Sequence, residues 1–303
     1  MQKFKSGYVA IIGKPNSGKS TLLNSLLQQK LSIVTNKPQT TRKRIVGIYN
    51  DDDSQIIFLD TPGLIKPNYL LQEKFIDQIK LSLSDADLII LLIDITGQNY
   101  MELFYEELLK NIFNKNLEKF IVVLNKIDLT KKKELERIYQ QIKTEFPKAF
   151  VLGVSALQNK NVEQLKEEIK KRLPYGPKYF PDDQLAEENE RFFVSEIIRE
   201  KIFEQFSDEI PFSTEVVIES YREREKNKDY ISALIIVEKE SQKPIIIGKN
   251  GEAIKKIGKT SRQAIEEFIG KEVYLELRVK VKPKWRSDKN ALKTFGYILD
   301  SDN

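Results

Sequence analysis

The chain has 303 residues, 40% of them hydrophobic and 31% charged, with neither histidine nor cysteine. Those two absences exclude a disulfide framework, a thiolate or imidazole metal centre and a histidine general base. Any chemistry must run on carboxylates, Lys/Arg, hydroxyls, backbone amides or a hard metal ion. The formal charge of +5 is unevenly spread: residues 239–293 hold 15 Lys/Arg against 7 Asp/Glu, a net of +8. A basic C-terminal third points to a polyanion partner, with a solvated lysine-rich face as the alternative.

The N-terminal residues run straight into an apolar strand of about six residues, short for a signal-peptide core. No segment approaches the ~18 apolar residues of a membrane span. A soluble, cytoplasmic protein is expected. From Tyr8 to Leu173, apolar runs of strand length alternate with amphipathic helical stretches. Tyr8–Ile12, Gln55–Leu59, Leu88–Ile93, Phe120–Leu124 and Phe150–Val154 read as strands buried on both faces of a mostly parallel sheet. Ser20–Gln29, Gln72–Leu83, Met101–Phe113, Lys133–Glu145 and Val162–Leu173 read as the helices between them. Thr41–Tyr49, the acidic turn Asp51–Asp53 and Gln55–Leu59 form a hairpin that adds one antiparallel strand. The expectation is an α/β domain, doubly wound, over 1–173.

Three prolines and a glycine in Pro174–Pro181, followed by acidic residues, predict a linker over 174–190. Beyond it Arg191–Phe206 reads as a helix, Phe212–Arg224 and Tyr230–Glu238 as strands, the stretch from Ile245 to Ile269 as helical and Val273–Val281 as a strand. This α-β-β-α-α-β order, with Gly248-Lys-Asn-Gly251 between the paired helices, is that of a KH-type RNA-binding domain. It would occupy 191–303, ending in a basic tail.

Three motifs in the first domain define a GTP site. Gly13-Lys-Pro-Asn-Ser-Gly-Lys-Ser20 fits the P-loop pattern and sits where it must, after a strand and before a helix. Gly13, Asn16, Ser17, Gly18 and Thr21 belong to its phosphate cradle, whose N–H groups face an anion at a helix N-terminus. Lys19 reaches the β- and γ-phosphates, and the Ser20 hydroxyl ligates Mg2+. Asp60-Thr-Pro-Gly63 follows the second parallel strand; Asp60 reads as the carboxylate behind Mg2+, and Gly63 offers its N–H to the γ-phosphate. Thr40 and Thr41 lie in the polar loop Thr35–Lys43, and one of them, Thr41 by preference, is the remaining Mg2+ ligand. In Asn125-Lys126-Ile-Asp128, the Asp128 carboxylate accepts the guanine N1–H and 2-amino group, donors that adenine lacks. Ser155-Ala156-Leu157 suits a backbone N–H to guanine O6. Lys19, Thr41 and Gly63 are the candidate catalytic residues. Where many GTPases carry a water-positioning glutamine after Asp-x-x-Gly, this chain has Leu64, which predicts slow intrinsic hydrolysis.

In the C-terminal domain, Gly248 and Gly251 let the backbone approach a sugar-phosphate chain, and Lys249 adds charge. Ile247, Asn250, Lys255 and Lys282 join them as candidate contacts to single-stranded RNA. Trp285, in a tail with Lys280, Lys282, Lys284 and Arg286, either stacks on a base or caps the KH core.

Together these residues resemble the Era family of bacterial GTPases over essentially the whole chain. The specific marks are Gly-Lys-Pro-Asn-Ser-Gly-Lys-Ser20, Pro38-Gln-Thr-Thr-Arg-Lys-Arg-Ile-Val-Gly47, Asp-Thr-Pro-Gly-Leu64, Ile-Ile-Gly-Lys-Asn-Gly251 and the ending Leu-Glu-Leu-Arg-Val-Lys-Val-Lys-Pro-Lys-Trp285. The resemblance implies a GTP/GDP- and Mg2+-dependent factor in assembly of the small (30S) ribosomal subunit, its KH domain on the 3′ end of 16S rRNA. It also implies K+ as an activating cation near Asn16. A monomer is expected. The competing reading is a GTPase whose basic C-terminal third meets a protein partner or anionic lipid on the inner face of the cell membrane.

Overall fold

The computed structural model describes residues 4–97, 100–110, 117–225 and 227–298. The chain divides into two compact units, 1–66 with 75–187 and 67–74 with 188–303.

In the first unit, β1 (Lys5–Ile12), β2 (Ile45–Asn50), β3 (Ser54–Asp60), β4 (Leu88–Asp94), β5 (Phe120–Asn125) and β6 (Phe150–Gly153) form one sheet in the order β2-β3-β1-β4-β5-β6. All neighbours pair in parallel except β2 and β3. The central strands are almost continuously apolar because both faces are covered: Val9–Ile12, Ile56–Leu59 and Ile121–Leu124 have no exposed surface. The strand order reverses direction at β1, so a crevice opens at the carboxyl ends of β1, β3 and β5, where ligands of open α/β sheets bind. The β2–β3 turn is held by the Asp51 carboxylate, which accepts from the Asp53 and Ser54 amides.

Helices α1 (Lys19–Leu27), α2 (Leu70–Asp85), α4 (Lys132–Glu145) and α5 (Val162–Arg172) fall within a few residues of their predicted spans. The helix expected over Met101–Phe113 is instead broken. Helix α3 covers only Glu102–Tyr105; Glu106 turns extended (ψ 125°), and the chain is helical again over residues 107–110, whose Leu109 and Lys110 amides return to the Glu106 carbonyl. The remainder of that expected helix lies outside the described residues.

The stretch expected as a linker is strapped to the first unit as far as Glu187. Gln55, fully buried, accepts the amides of Tyr179 and Phe180 with its Oε1 and donates through Nε2 to the Phe180 carbonyl and Asn50 Oδ1. Further along, the Ile48 amide on edge strand β2 donates to the Leu185 carbonyl. Prolines that forbid a helix here leave carbonyls free to cover a sheet edge, which explains an ordered path despite a linker-like composition.

In the second unit, α6 (Glu190–Gln205) is capped by the Asn189 side chain on the Phe192 amide. Pro211 starts a short helix, α7 (Ile210–Ser213), so the expected strand from Phe212 begins only at Glu215. Strands β7 (Glu215–Arg222) and β8 (Asp229–Val237) pair antiparallel, and β9 (Val273–Val281) joins β8 in parallel. Helices α8 (Gln242–Ile247) and α9 (Glu252–Ile269) complete the α-β-β-α-α-β order. The apolar face of α9, through Ile257 and Ile265, packs with Val194, Ile198, Ile231 and Ile235. A tail helix, α10 (Lys289–Thr294), follows, capped by the Asp288 carboxylate on the Ala291 amide.

Candidate nucleotide site and nucleic-acid groove

Chain entry into α1 is built for an anion. Gly18, at φ 94°, turns the backbone into the helix, and Lys19 follows as its first residue. Lys19 is 6% exposed, and its ammonium donates to the carbonyls of Gly13 (3.1 Å) and Lys14 (3.0 Å). Burial pushes its pKa down to about 8, against the opposing pull of Asp60. A buried cation with that deficit gains strongly from a phosphate. Gly13 has no room for a side chain, since a Cβ would lie 2.5 Å from the Leu92 carbonyl oxygen. Gly63 is equally tight, 2.8 Å from Pro15, and the next amide, Leu64, donates to the Gly13 carbonyl at 3.0 Å.

A cleft of about 430 Å3 lies over this turn. Its lining brings together Asn16, Gly18, Lys19, Ser20, Thr21, Thr41, Gly63, Asn125, Lys126, Asp128, Ser155, Ala156 and Leu157, residues drawn from every motif predicted in this unit. The other three candidates, Gly13, Ser17 and Asp60, are buried and do not line it.

Asp60 ends β3 with no exposed surface. Its Oδ2 accepts from Ser20 Oγ (2.7 Å) and Ser32 Oγ (3.0 Å), while its Oδ1 has no hydrogen-bond partner. Burial raises the carboxyl above its usual range despite those hydroxyls and Lys19. Ser20 Oγ also lies 2.8 Å from Thr41 Oγ1, whereas Thr40 Oγ1 is engaged by Thr35 Oγ1 and the Lys37 carbonyl. Thr41, not Thr40, therefore stands beside Ser20 and Asp60. This all-oxygen set with an orphaned buried carboxylate oxygen fits a hard divalent cation of the Mg2+ type. Ser32 carries no sequence signal of such a role. It precedes the polar loop and reaches Asp60 only because Asn24 clasps the Leu31 and Ser32 amides.

At the other end of the cleft, Asn125 works as a brace. Its Nδ2 donates to the Ser17 carbonyl (2.8 Å) and its Oδ1 accepts the Ala156 amide (3.0 Å), tying the P-loop to the Ser155–Leu157 loop. Lys126, at φ 67°, pairs with Asp94 at 2.5 Å. Asn16, also left-handed at φ 61°, donates to the Asn36 carbonyl and so links the P-loop to the loop carrying Thr41. Leu64 is 9% exposed and belongs to the apolar core, so its side chain has no role in placing water.

Ser17 Oγ is buried without a hydrogen-bond partner beneath this turn. Ser17→Ala should therefore raise the unfolding free energy by about 1 kcal/mol and leave nucleotide affinity within about twofold, because the Ser17 hydroxyl does not line the cleft and the carbonyl that Asn125 holds is kept. Denaturant titration and nucleotide binding on the same variant check both halves.

In the second unit the turn between α8 and α9 has positive φ three times, at Gly248 (φ 75°), Asn250 (φ 51°) and Gly251 (φ 76°). A Cβ on Gly248 would lie 2.6 Å from that of Ala253. Lys249 and Asn250 are exposed, and Ile247 is half-buried behind them. Beside the turn runs a groove of about 520 Å3 between α9 and β9. Lys255 lines it, as do Lys228, Lys259, Arg262 and Tyr274, which no sequence motif singles out. Lys282 does not line it; its ammonium lies 5.4 Å from the Phe295 ring centre.

Trp285 corrects an expectation. Its ring has no exposed surface, its Nε1–H donates to the Ser213 carbonyl at 2.9 Å, and it meets Phe295 edge-on at 5.6 Å. Of its two readings the core cap is the right one: a buried indole with its donor satisfied has no face left for a base.

Comparison with known proteins agrees with this geometry. Residues 8–126 match a family model described as 50S ribosome-binding GTPase, and residues 209–286 match a KH domain. GTPase Era of Geobacter sp. (strain M21) is 45% identical over 98% of this chain and 99% of its own length. GTPase Era of Thermoanaerobacter sp. (strain X514) is 44% identical, over 98% and 97%. An Aquifex aeolicus Era variant crystallised with GDP and AlF4− superposes with a TM-score of 0.92 at 40% identity, covering 98% of this chain and all of that one. An Era crystallised with MgGDPNP and nucleotides 1506–1542 of 16S ribosomal RNA gives the same TM-score at 41% identity and the same coverage. With a P-loop cleft, a KH module and relatives matched end to end, this chain belongs to the Era family of GTPases.

Proposed function

We propose that the protein binds GTP and Mg2+, hydrolyses GTP slowly, and uses its nucleotide state to control engagement of the 3′ end of 16S rRNA during assembly of the 30S subunit. The observation that carries this reading is the pairing, in one chain, of a cleft built around Lys19 and Asp128 with a KH turn whose Gly248–Gly251 backbone is open to a sugar-phosphate chain. The Era solved with a 16S fragment supports the choice of RNA.

Within the cleft, Lys19 and the N–H groups at the head of α1 hold the β- and γ-phosphates. The Ser20 and Thr41 hydroxyls would hold Mg2+, with the Asp60 carboxylate supporting them. When bound, Mg2+ neutralises charge on the phosphate oxygens. The Gly63 N–H donates to the γ-phosphate, and hydrolysis removes that hydrogen bond and frees the following loop. Asp128 selects guanine, Lys126 covers the ring, and an amide of Ser155–Leu157 meets O6. Water is positioned without a side chain at position 64. We assign that task to the backbone; a K+ ion, which would supply positive charge there, would be held near Asn16, whose amide bridges the two loops. At the KH turn, Lys249, Asn250 and Lys255 track the RNA backbone. The chain acts as a monomer in the cytoplasm; among the described residues no helix is long and apolar enough to cross a membrane.

The test is single-turnover GTP hydrolysis at fixed Mg2+, with and without a single-stranded RNA carrying the 16S 3′ end. The expected result is a rate raised tenfold or more by RNA, and lost when Lys249 and Asn250 are both changed to Asp. Tight RNA binding with no change in rate would leave the KH module as an anchor only. No RNA binding would favour a protein or anionic lipid as the partner. In the same assay, replacing K+ by Na+ should lower the rate severalfold; an equal rate in both salts removes the K+ assignment.

A further inference from the structure

Ser32 stands outside every motif of the nucleotide site, yet its hydroxyl donates to the carboxylate that supports the Mg2+ ligands. It is 1% exposed, and Asp60 Oδ2, at 3.0 Å, is the only hydrogen-bond partner of its hydroxyl among the described residues. Ser20 Oγ donates to the same oxygen at 2.7 Å, so both donors converge on Oδ2 while Oδ1 has no partner. A carboxylate buried for packing alone would have both of its oxygens satisfied within the fold. Convergence on one oxygen instead fixes the plane of the group and keeps the other oxygen as an acceptor.

The two donors differ in what else they must do. Ser20, in the reading above, ligates the cation, and its Oγ also lies 2.8 Å from Thr41 Oγ1. Ser32 has no second task. Its backbone is clamped by a single side chain, Asn24. Asn24 Oδ1 accepts the Leu31 amide (2.9 Å) and the Ser32 amide (2.8 Å), and Asn24 Nδ2 donates to the Ser32 carbonyl (2.8 Å). Asn24 lies on α1 one turn after Ser20 and on the same face of the helix. The helix that begins at the phosphate cradle thus grips Ser32 just ahead of the loop bearing Thr41, and Ser32 in turn grips Asp60.

We infer that Ser32 is a positioning residue for Mg2+ binding, fixing the orientation in which Asp60 supports the cation, and that Asn24 acts through Ser32. Removing such an outer partner typically lowers metal affinity by about 10- to 100-fold although it never touches the ion. The inference rests on the GTP and Mg2+ reading above and adds Ser32 and Asn24 to it. A serine that merely filled space would affect the fold and all nucleotide binding alike. A positioning serine affects only what Mg2+ contributes.

The experiment measures GDPNP affinity with saturating Mg2+ and in EDTA for the full-length parent, Ser32→Ala, Ser32→Cys, Asn24→Ala and the variant combining Ser32→Ala with Asn24→Ala. The single Ser32 variants should stay folded, with thermal midpoints within a few degrees of the parent. In EDTA their affinities should agree with the parent within about twofold. Mg2+ should strengthen binding by the parent, and Ser32→Ala should lose about tenfold or more of that gain. Ser32→Cys fills the same space with a weak donor and should share the loss. Asn24→Ala should share it too, and the combined variant should lose no more than Ser32→Ala alone. Titration of the GDPNP complexes with Mn2+, followed by electron paramagnetic resonance, should rank the proteins in the same order. An equal Mg2+ gain in the parent and Ser32→Ala overturns the inference, as does an equal loss with and without the metal. A full gain in Ser32→Cys also overturns it, because volume rather than the hydroxyl would then matter. Losses that multiply in the combined variant overturn the route through Asn24. A parent indifferent to Mg2+ overturns the metal reading itself.

Discussion

Asp128→Asn should lower GTP affinity by about 100- to 1000-fold and at the same time create affinity for the xanthine nucleotide. The carboxylate lines the cleft beside Asn125, Lys126 and Ala156. As proposed, it accepts both the N1–H and the 2-amino group of guanine, two charge-assisted hydrogen bonds worth about 1.5–3 kcal/mol each. An asparagine keeps one acceptor for N1–H but turns an N–H toward the 2-amino group, donor against donor. The loss is then one favourable bond plus one buried clash, about 3–4 kcal/mol in all. Xanthine carries an oxygen at position 2, which accepts from the same amide. Competition binding with GTP and XTP on parent and variant checks the exchange. Loss of GTP without gain of XTP would mean that the substitution disturbs the loop rather than its recognition. Asn125 makes a useful contrast, because its side chain is spent on the Ser17 carbonyl and Ala156 amide. Asn125→Ala should weaken both nucleotides alike.

Much of the first unit could be read in the chain because its physics is local. A parallel strand covered on both faces leaves a continuous apolar run rich in β-branched residues, and Ile56–Leu59 or Ile121–Leu124, lying in short runs bounded by polar residues, read as such strands. The P-loop, Asp60 and Asp128 follow such runs directly, so placing the strands also places the edge at which their side chains gather. What escaped was set by distant partners. Nothing near Thr40 and Thr41 distinguishes them in sequence; Ser20, twenty-one residues before Thr41, does so in space. Ser32 becomes a partner of Asp60 only through Asn24.

In the C-terminal unit the element order was legible, while the face of each side chain was less so. Trp285 stands among four cations in the sequence, which suggests an RNA-facing tail. Its actual partners are the Ser213 carbonyl, seventy-two residues earlier, and Phe295, which follows a tail helix with no strong periodicity to announce it. Conversely, Lys259 and Arg262 read as ordinary solvated helix residues until β9 is placed opposite them to make a groove. At 174–187, where prolines signalled a linker, the partners are again distant: Gln55 and Ile48 fasten the chain to the sheet.

Lys19→Met should cost nucleotide affinity at least a hundredfold while making the nucleotide-free protein more stable. The two effects have one origin. Burial lowers the ammonium from the usual 10.5 to about 8, so at any pH below 8 the fold carries a desolvated charge that is solvated in the unfolded chain. The shift corresponds to about 3 kcal/mol of destabilisation. That cost is fully present below pH 8 and fades as pH rises from 8 toward 10.5, where the folded protein releases the proton first. A neutral methionine of similar length removes it, so chemical denaturation of the free variant should show a gain at about pH 7 that shrinks by about pH 9.5. Nucleotide binding runs the other way. Phosphate oxygens beside the ammonium raise its pKa again, so binding above about pH 8 takes up a proton. Parent affinity should be level from about pH 7 to 8 and then fall by up to about tenfold per pH unit. Lys19→Met should lack that dependence, apart from loss of the guanine N1 proton at the alkaline end, which both proteins share. Parallel pH slopes in the two proteins would show that Lys19 stays charged throughout and that its burial imposes no electrostatic penalty.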